Sequence, residues 1–238
     1  MTPVPAEAGE GWFGAAGRML ARDPSIRSPT WSVVTYATAV AGSFWLLALG
    51  NALVAAAAVE LALARLFALS PVWRLLLLAL LAAVTSLPWF ASFLMPDLYA
   101  GLLVLAALLL ACGWSRLRPD ERVAVAVLYV AALTFHTSQL LLGILLTPLS
   151  ALMPGTWSER RWRLLRLGLP ATIAVALLVT LGWLGYGEPT LTPRSPPFLL
   201  ARVWEDGPAR AYLARSCPEA GWAICAQLGR LAPTAQEF

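Results

Sequence analysis

Residues 98–115 read LYAGLLVLAALLLACGWS and contain no Asp, Glu, Lys or Arg. Within them, residues 101–110 lack the polar stripe at helical spacing that an outer helix of a soluble bundle presents to water. An apolar helix of about 20 residues crosses a hydrocarbon layer of about 30 Å. This stretch therefore predicts a membrane-spanning helix rather than a helix of a soluble bundle.

Four other stretches also lack charged residues, in a chain that is 59% hydrophobic and only 13% charged. A soluble domain usually carries about 25% charged residues. Because a helix satisfies its own backbone hydrogen bonds in lipid, we expect an all-α polytopic membrane protein with five to six transmembrane helices in a lipid bilayer. Outside the ambiguous stretch 123–158, the expected spans are A (36–59), B (75–94), C (98–113) and E (167–186).

The ambiguous stretch 123–158 would be about 54 Å long as one straight helix, so it forms either one protruding helix or two short ones. Arginines distinguish the two, because short basic loops prefer the cytoplasmic side. Two crossings place the basic clusters before and after the stretch on the same side. We therefore predict a short hairpin of residues 123–135 and 138–153 that turns at His136. The flanking arginines are at positions 116, 118 and 122 and at 160, 161, 163 and 166.

The same arginines orient the whole chain. Together with Arg65 and Arg74 in the connection A–B, they place that connection and the two connections that flank the hairpin in the cytoplasm of a bacterial cell. The reversal between spans B and C and the turn of the hairpin then lie on the outer side of its inner membrane. The expected domains are an outer or interfacial segment (1–34), a transmembrane domain (35–187) and an extracytoplasmic tail (188–238). This topology places segment 1–34 outside although it carries three arginines, and export of such a segment without a preceding span is difficult. We therefore expect an upstream span to be missing from a shortened chain. Since the arginines lie in loops and not along one basic face, no nucleic-acid partner is expected.

Asp97 follows Pro96 at the reversal between spans B and C. An acid between two apolar spans is costly unless it is solvated or paired. In a functional role, Asp97 is a base or a ligand of a divalent cation at the mouth of an outer cavity. In a structural role, it stabilises the first turn of span C from the headgroup layer. Its position alone favours the structural role.

Two further polar residues also have one functional and one structural interpretation each. His136, the only histidine, lies in the segment TFHTSQ (134–139). It serves either proton transfer and phosphate contact or the turn of the hairpin, and its surroundings favour the turn. Asp23 follows a weakly amphipathic stretch (11–22) that suits an interfacial helix. It faces an outer cavity or ends that helix, and we favour the helix end.

Cys217 and Cys225 lie in the tail, with Pro218 and Gly221 between them to turn the chain. In an oxidising compartment this spacing favours a disulfide. A zinc site is disfavoured because no His or third Cys accompanies the pair. No motif for a nucleotide or metal cofactor is present, so a divalent cation at Asp97 is the one cofactor left open.

The segment SLPWFASFLMPDLYAGLLVLAALLL (86–110) resembles the part of bacterial GT-C-type membrane glycosyltransferases in which an acid opens a helix at the outer face. The segment RPDERVAVAVLYVAALTFHTSQLLLGILL (118–146) is similar to the short helix pair that follows there. The tail, with PPFLLAR (196–202), DGP (206–208) and two cysteines, resembles uncharacterised bacterial members of that group. No single one of these motifs is specific.

The resemblance implies an outward-facing enzyme that transfers a sugar from a polyprenyl-phosphate carrier. Asp97 then matches the acid at the helix start, and His136 lies where family members often have a basic residue near the carrier phosphate. The acid that activates the acceptor follows a first span that is missing here, so only Asp23 or Glu10 could replace it.

Two alternatives to a transferase stay open. The first is a non-catalytic accessory or scaffold subunit whose apolar faces pack against membrane protein partners. The second is a transporter, which no internal repeat supports. The enzyme requires Asp97, His136 and the region of Asp23 to converge on one outer cavity, within about 10–15 Å for a pocket of ordinary size. The subunit predicts no such cavity.

Overall fold

A computed structural model describes residues 28–93, 95–187, 189–191 and 195–230 of the chain. Within these ranges the regular structure is entirely helical, which confirms the all-α class. In the same ranges, two short 3₁₀ helices, Trp114–Arg116 and Ala223–Arg230, accompany the α-helices. The α-helices are α1 (Pro29–Val40), α2 (Trp45–Arg65), α3 (Pro71–Val84), α4 (Leu87–Ser92), α5 (Leu98–Cys112), α6 (Pro119–Phe135), α7 (Thr137–Leu152), α8 (Trp157–Tyr186), α9 (Ser195–Glu205) and α10 (Pro208–Ala220).

Among the described residues, two helices have the length and composition to cross a membrane. They are α2, with 21 residues, and Trp157–Gly185 of α8. Helices α3, α5 and α7 are apolar but shorter. The expected count of five to six full spans is therefore not established, since α3, for example, has 14 residues and a length of about 21 Å.

Two predicted spans are wrong as continuous helices. Span A is interrupted between α1 and α2, where Gly42 has a φ of 80°, a left-handed conformation that glycine adopts without strain. Span B ends early, because Thr85 is extended with a ψ of 168°. Pro88 then lies at the start of α4, where its fixed φ suits the first turn of a new helix.

The predicted hairpin is present as α6 and α7. The residue between them, His136, has φ −150° and ψ 140°, which ends one helix before the next begins. The two helices fold back on one another, since Oη of Tyr129 in α6 lies 3.5 Å from the carbonyl oxygen of Gly143 in α7. The observed bounds begin four residues before the predicted start at Val123.

Helix α8 begins ten residues before the predicted start of span E at Leu167. A capping box explains this start: Oγ1 of Thr156 accepts from the backbone N–H of Glu159, and Oε2 of Glu159 accepts from the backbone N–H of Thr156. Such a box satisfies two helix-end donors. The basic residues 160–166 thus form the first turns of the helix and not a loop.

Helix α5 forms the centre of the bundle. Its residues Leu103, Ala106, Leu109 and Leu110 are at most 1% exposed, and α5 contacts α2, α6, α7 and α8. Helix α1 packs against α6 and α8, so the expected domain boundary at residue 34 lies inside a helix of the bundle. The prediction of span C agrees with α5 to within one residue.

The described part of the tail contains two α-helices. Helices α9 and α10 pack against each other, and the 3₁₀ helix Ala223–Arg230 packs against α10. A disulfide joins Cys217 to Cys225, whose Cα atoms are 5.3 Å apart. Cys112 is exposed at the end of α5, with its Sγ 3.8 Å from Sδ of Met153.

Candidate functional site

The two chain reversals that lack arginine lie at the same end of the bundle. Nε2 of Gln139, in the first turn of α7, donates a hydrogen bond of 2.8 Å to the carbonyl oxygen of Pro96, which precedes α5. This bond brings the turn at His136 next to the segment that carries Asp97. We call this end, with residues 28–31, 93, 95–99 and 134–139, the polar-turn end.

Three aromatic rings pack together at the polar-turn end. Tyr99 lies 4.7 Å from Phe135, Trp31 lies 5.0 Å from Phe135, and Trp31 lies 5.6 Å from Tyr99, measured between ring centroids. Edge-to-face pairs at these distances are favourable beyond the area they bury. They fix α1, α5 and α6 to one another just beneath the turns.

The residues at the start of α1 are hydrogen-bonded to the end of α6, next to these turns. The hydroxyls of Ser28 and Thr30 donate to the carbonyl oxygen of Thr134, at 2.5 and 2.6 Å. That carbonyl lies in the last turn of α6, where it lacks a partner within the helix. The segment that enters the bundle from the N-terminal side therefore meets both reversals.

Asp97 occupies the N-cap position of α5, but its carboxylate does not cap the helix. The residue is exposed, and within the described ranges no hydrogen bond or ion pair involves its side chain. The positive end of the helix dipole of α5 favours a negative charge there. Asp97 thus keeps both interpretations from the sequence: it can stabilise α5, and its oxygens are free for a ligand.

His136 acts in the turn between α6 and α7, as its surroundings suggested. Its Nδ1 accepts from the backbone N–H of Ser138 at 3.2 Å and lies 2.8 Å from Oγ of Ser138. Because Nδ1 is an acceptor, the neutral ring carries its proton on Nε2. The ring is half-buried, and Nε2 makes no hydrogen bond to any part of the chain that the structure describes.

A buried polar group beneath these turns was not predicted from the sequence. Asn51 of α2 is 1% exposed; its Oδ1 accepts from Oη of Tyr99 at 3.1 Å, and its Nδ2 donates to the carbonyl oxygen of Phe93 at 3.4 Å. Gln139 is 3% exposed, and its Oε1 has no hydrogen-bond partner among the described residues. An uncharged amide within an apolar stretch was the available signal, because such groups need partners in lipid.

Among the described residues, no further candidate for an acidic or metal-binding role joins Asp97 and His136. Asp23 and Glu10 lie outside the described residues. Within the described ranges, no group of three or more His, Cys, Asp or Glu side chains is arranged to hold a metal ion. A groove of about 330 Å³ is lined by Val179, Thr180, Trp183 and Pro189, and thus by neither Asp97 nor His136.

The arginine-bearing connections meet at the opposite end, which we call the arginine end. Nε and an Nη of Arg65, at the end of α2, donate to both carboxylate oxygens of Glu121, at the start of α6, at 3.0 and 2.7 Å. This guanidinium holds the pKa of Glu121 below its ordinary value. Arg74 of α3 pairs with Glu60 of α2.

Two further arginines connect the loops at the arginine end. Arg116 donates to the carbonyl oxygens of Arg65 and Leu66, at 3.1 and 2.9 Å, which caps the last turn of α2. Arg163 of α8 donates to the carbonyl oxygens of Met153 and Pro154, at 3.0 and 2.9 Å. Since Met153 also contacts Cys112 at the end of α5, the connections α2–α3, α5–α6 and α7–α8 are neighbours.

No protein-family model, curated protein or solved structure matches this chain.

Proposed function

We propose that this chain is a polytopic membrane protein that handles a polyprenyl-phosphate-linked sugar at its polar-turn end, in the manner of a GT-C-type glycosyltransferase. The proposal has three parts: the bilayer placement, the location of the site and the roles of its residues. The meeting of the two arginine-free reversals, through the bond from Gln139 to Pro96, is the observation that carries it.

The exposed surface of the bundle supports the bilayer placement. Helix α3 has no buried residue, and its large side chains Trp73, Leu75 and Leu80 are 53–69% exposed. Such a surface would be a large apolar patch in water, but it costs nothing in lipid. Pro148 and Pro170 lie inside α7 and α8, and prolines inside helices are better tolerated in membranes.

The separation of charge between the two ends supports the location of the site. The arginine end fits the cytoplasmic interface, where basic loops accumulate. The polar-turn end then faces outward, on the side where the family resemblance expects a carrier-linked donor. Asp97 and His136 both lie in the turns of that end.

The free groups at the polar-turn end fit a transfer reaction. The carboxylate of Asp97 would accept the proton of an acceptor hydroxyl while the hydroxyl oxygen forms a bond to the anomeric carbon. The bond from that carbon to the phosphate oxygen would break, and polyprenyl phosphate would leave. Nε2–H of His136 would donate to the leaving phosphate and stabilise its charge. Asp23 remains part of the proposal as the second acid.

Replacement of Asp97 by Asn tests the catalytic role, because Asn keeps the shape and removes the base. We expect sugar transfer from a polyprenyl-phosphate donor to fall by at least about 10²-fold, the usual contribution of a general base. Asp120→Asn is the control, since Asp120 lies at the arginine end and is 69% exposed. Transfer that survives unchanged in Asp97→Asn would remove Asp97 from the mechanism.

The second candidate function is a non-catalytic subunit of a larger membrane complex. The observation that favours it is the exposure of Asp97, together with a groove that neither Asp97 nor His136 lines. In that case the apolar face of α3 would pack against another membrane protein. The measurement of sugar transfer by Asp97→Asn separates the two functions. If the chain is a non-catalytic subunit, wild type and Asp97→Asn should give the same result in that measurement.

A further inference from the structure

The arginine end contains two differently compensated groups of arginines. On the side of α2 and α3, Arg65 and Arg74 pair with Glu121 and Glu60. On the side of α8, Arg122, Arg163 and Arg166 form no ion pair with any carboxylate that the structure describes. We call these three residues, with Trp114, the unpaired basic cluster.

The unpaired basic cluster is built around one indole ring. Cζ of Arg122 lies 4.8 Å from the ring centroid of Trp114, and Cζ of Arg166 lies 4.7 Å from it. Both distances are within the range of a cation–π contact. The ring therefore holds two guanidinium groups near each other, although their like charges repel.

The hydrogen bonds of the cluster position its arginines without neutralising them. Nε of Arg122 donates to the carbonyl oxygen of Trp114 at 3.2 Å, and Arg163 donates to two carbonyl oxygens at the end of α7. Nε of Arg166 is buried and has no partner among the described atoms. Carbonyl oxygens carry no net charge, so these hydrogen bonds do not compensate the positive charges of the arginines.

The acidic residue closest to Arg163 along α8 is Glu159, which offsets the charge of Arg163 only in part. Its Oε2 accepts from the backbone N–H of Thr156 in the capping box. Oε2 and an Nη of Arg163 both lie within 3 Å of the position that a Cβ of Gly155 would take, but they form no ion pair in the described structure. A buried or half-buried cation without a counter-charge is costly. An anion from outside the chain would offset that cost.

We propose that the unpaired basic cluster binds the phosphate of an anionic phospholipid headgroup. Guanidinium groups suit phosphate because they donate paired hydrogen bonds to its oxygens. Basic pockets between helices at the cytoplasmic interface bind such headgroups, and Trp114 has the amphipathic ring that is enriched at this depth. This inference rests on the membrane placement in the proposed function.

Lipid retention by the full chain tests the proposal. The chain is placed in nanodiscs of equimolar phosphatidylglycerol and phosphatidylcholine, and the ratio of the two lipids retained after extraction is measured by native mass spectrometry. We expect wild type to retain phosphatidylglycerol preferentially. Arg166→Gln should lower the ratio of retained phosphatidylglycerol to phosphatidylcholine by about fivefold, which is the effect of one arginine near an anionic surface.

Arg161→Gln is the matched control, because it removes the same charge from the same helix at an exposed position outside the cluster. It should keep the preference of wild type. Arg122→Gln provides a second cluster variant if Arg166→Gln does not fold. An equal lipid ratio in wild type and both cluster variants would overturn the proposal.

Inorganic phosphate distinguishes a lipid from a soluble anion. We expect added phosphate to leave the retained phosphatidylglycerol unchanged. If phosphate displaces that lipid at millimolar concentration, the cluster is a site for a free anion and the lipid assignment is wrong. Loss of the lipid preference alone leaves the membrane placement intact, whereas failure of the chain to enter nanodiscs overturns the placement itself.

Discussion

At the scale of single residues, Gly143 allows the hairpin of α6 and α7 to close. A Cβ atom at this position would lie 2.1 Å from Cδ2 of Leu133 and 3.3 Å from Oη of Tyr129. Leu133 and Tyr129 are both fully buried, so a shift of either side chain would disturb its packing in the core. The absence of a side chain is therefore what lets the two helices approach each other.

Gly143→Ala should destabilise the bundle. We expect overpacking to cost about 1–3 kcal/mol against a gain of about 1 kcal/mol in helix propensity, which gives a net loss of up to about 2 kcal/mol. Thermal unfolding in detergent micelles measures it. Gly101→Ala is the control, because an added Cβ at that helical position meets nothing within 4 Å. Equal melting temperatures for the two variants would contradict the close approach.

Some of the site residues could be predicted individually and others could not. Asp97 and His136 stand out because each is a rare polar residue between apolar stretches. Gln139 and Asn51 are ordinary amides in sequence, and their importance depends on partners at Pro96 and Tyr99. Those partners are 43 and 48 positions away, so no local pattern indicates them.

At the scale of helices, the pair of Arg65 and Glu121 connects the end of α2 to the start of α6. It is bidentate, and Glu121 is 11% exposed. Glu121→Gln should lower the free energy of unfolding by about 1–2 kcal/mol, a typical range for a charged hydrogen bond at a partly exposed pair. Asp120→Asn, which affects an exposed pair with Arg118, should have little effect in the same unfolding measurement.

The pH dependence of stability provides a second check on this pair. Arg65 lowers the pKa of Glu121 in the folded state, so the carboxylate stabilises the fold above its ordinary pKa. This contribution is lost as the pH falls through the lowered value. The difference in stability between wild type and Glu121→Gln should therefore shrink on acidification below about 4.5. A constant difference would contradict the ion pair.

The helices themselves were predictable to different degrees. Span C agreed with α5 because its ends coincide with Asp97 and Gly113. The break at Gly42 was not predictable, since a single glycine in an apolar run does not distinguish a break from a packing contact. The start of α8 was missed because charges were taken as the boundary, although Thr156 and Glu159 carry the capping-box pattern.

At the scale of the whole molecule, the bundle separates its polar features between two ends. The arginine end joins the three basic connections, and the polar-turn end joins the start of α1 to both reversals. The positions of the arginines in the sequence predicted this separation, because basic loops tend to share one side of a membrane. The proposed sugar site and the proposed lipid site depend on it, one at each end.

Cysteine labelling in intact cells tests the sidedness of the two ends most directly. Single cysteines replace Asp97 and Thr137 at the polar-turn end, and Ser115 and Ser158 at the arginine end, in a chain whose free Cys112 is changed to Ser. We expect a membrane-impermeant maleimide to label positions 97 and 137 in intact cells. Positions 115 and 158 should react only after the membrane is opened. Labelling of 97 and 137 from different sides would contradict a common outer site.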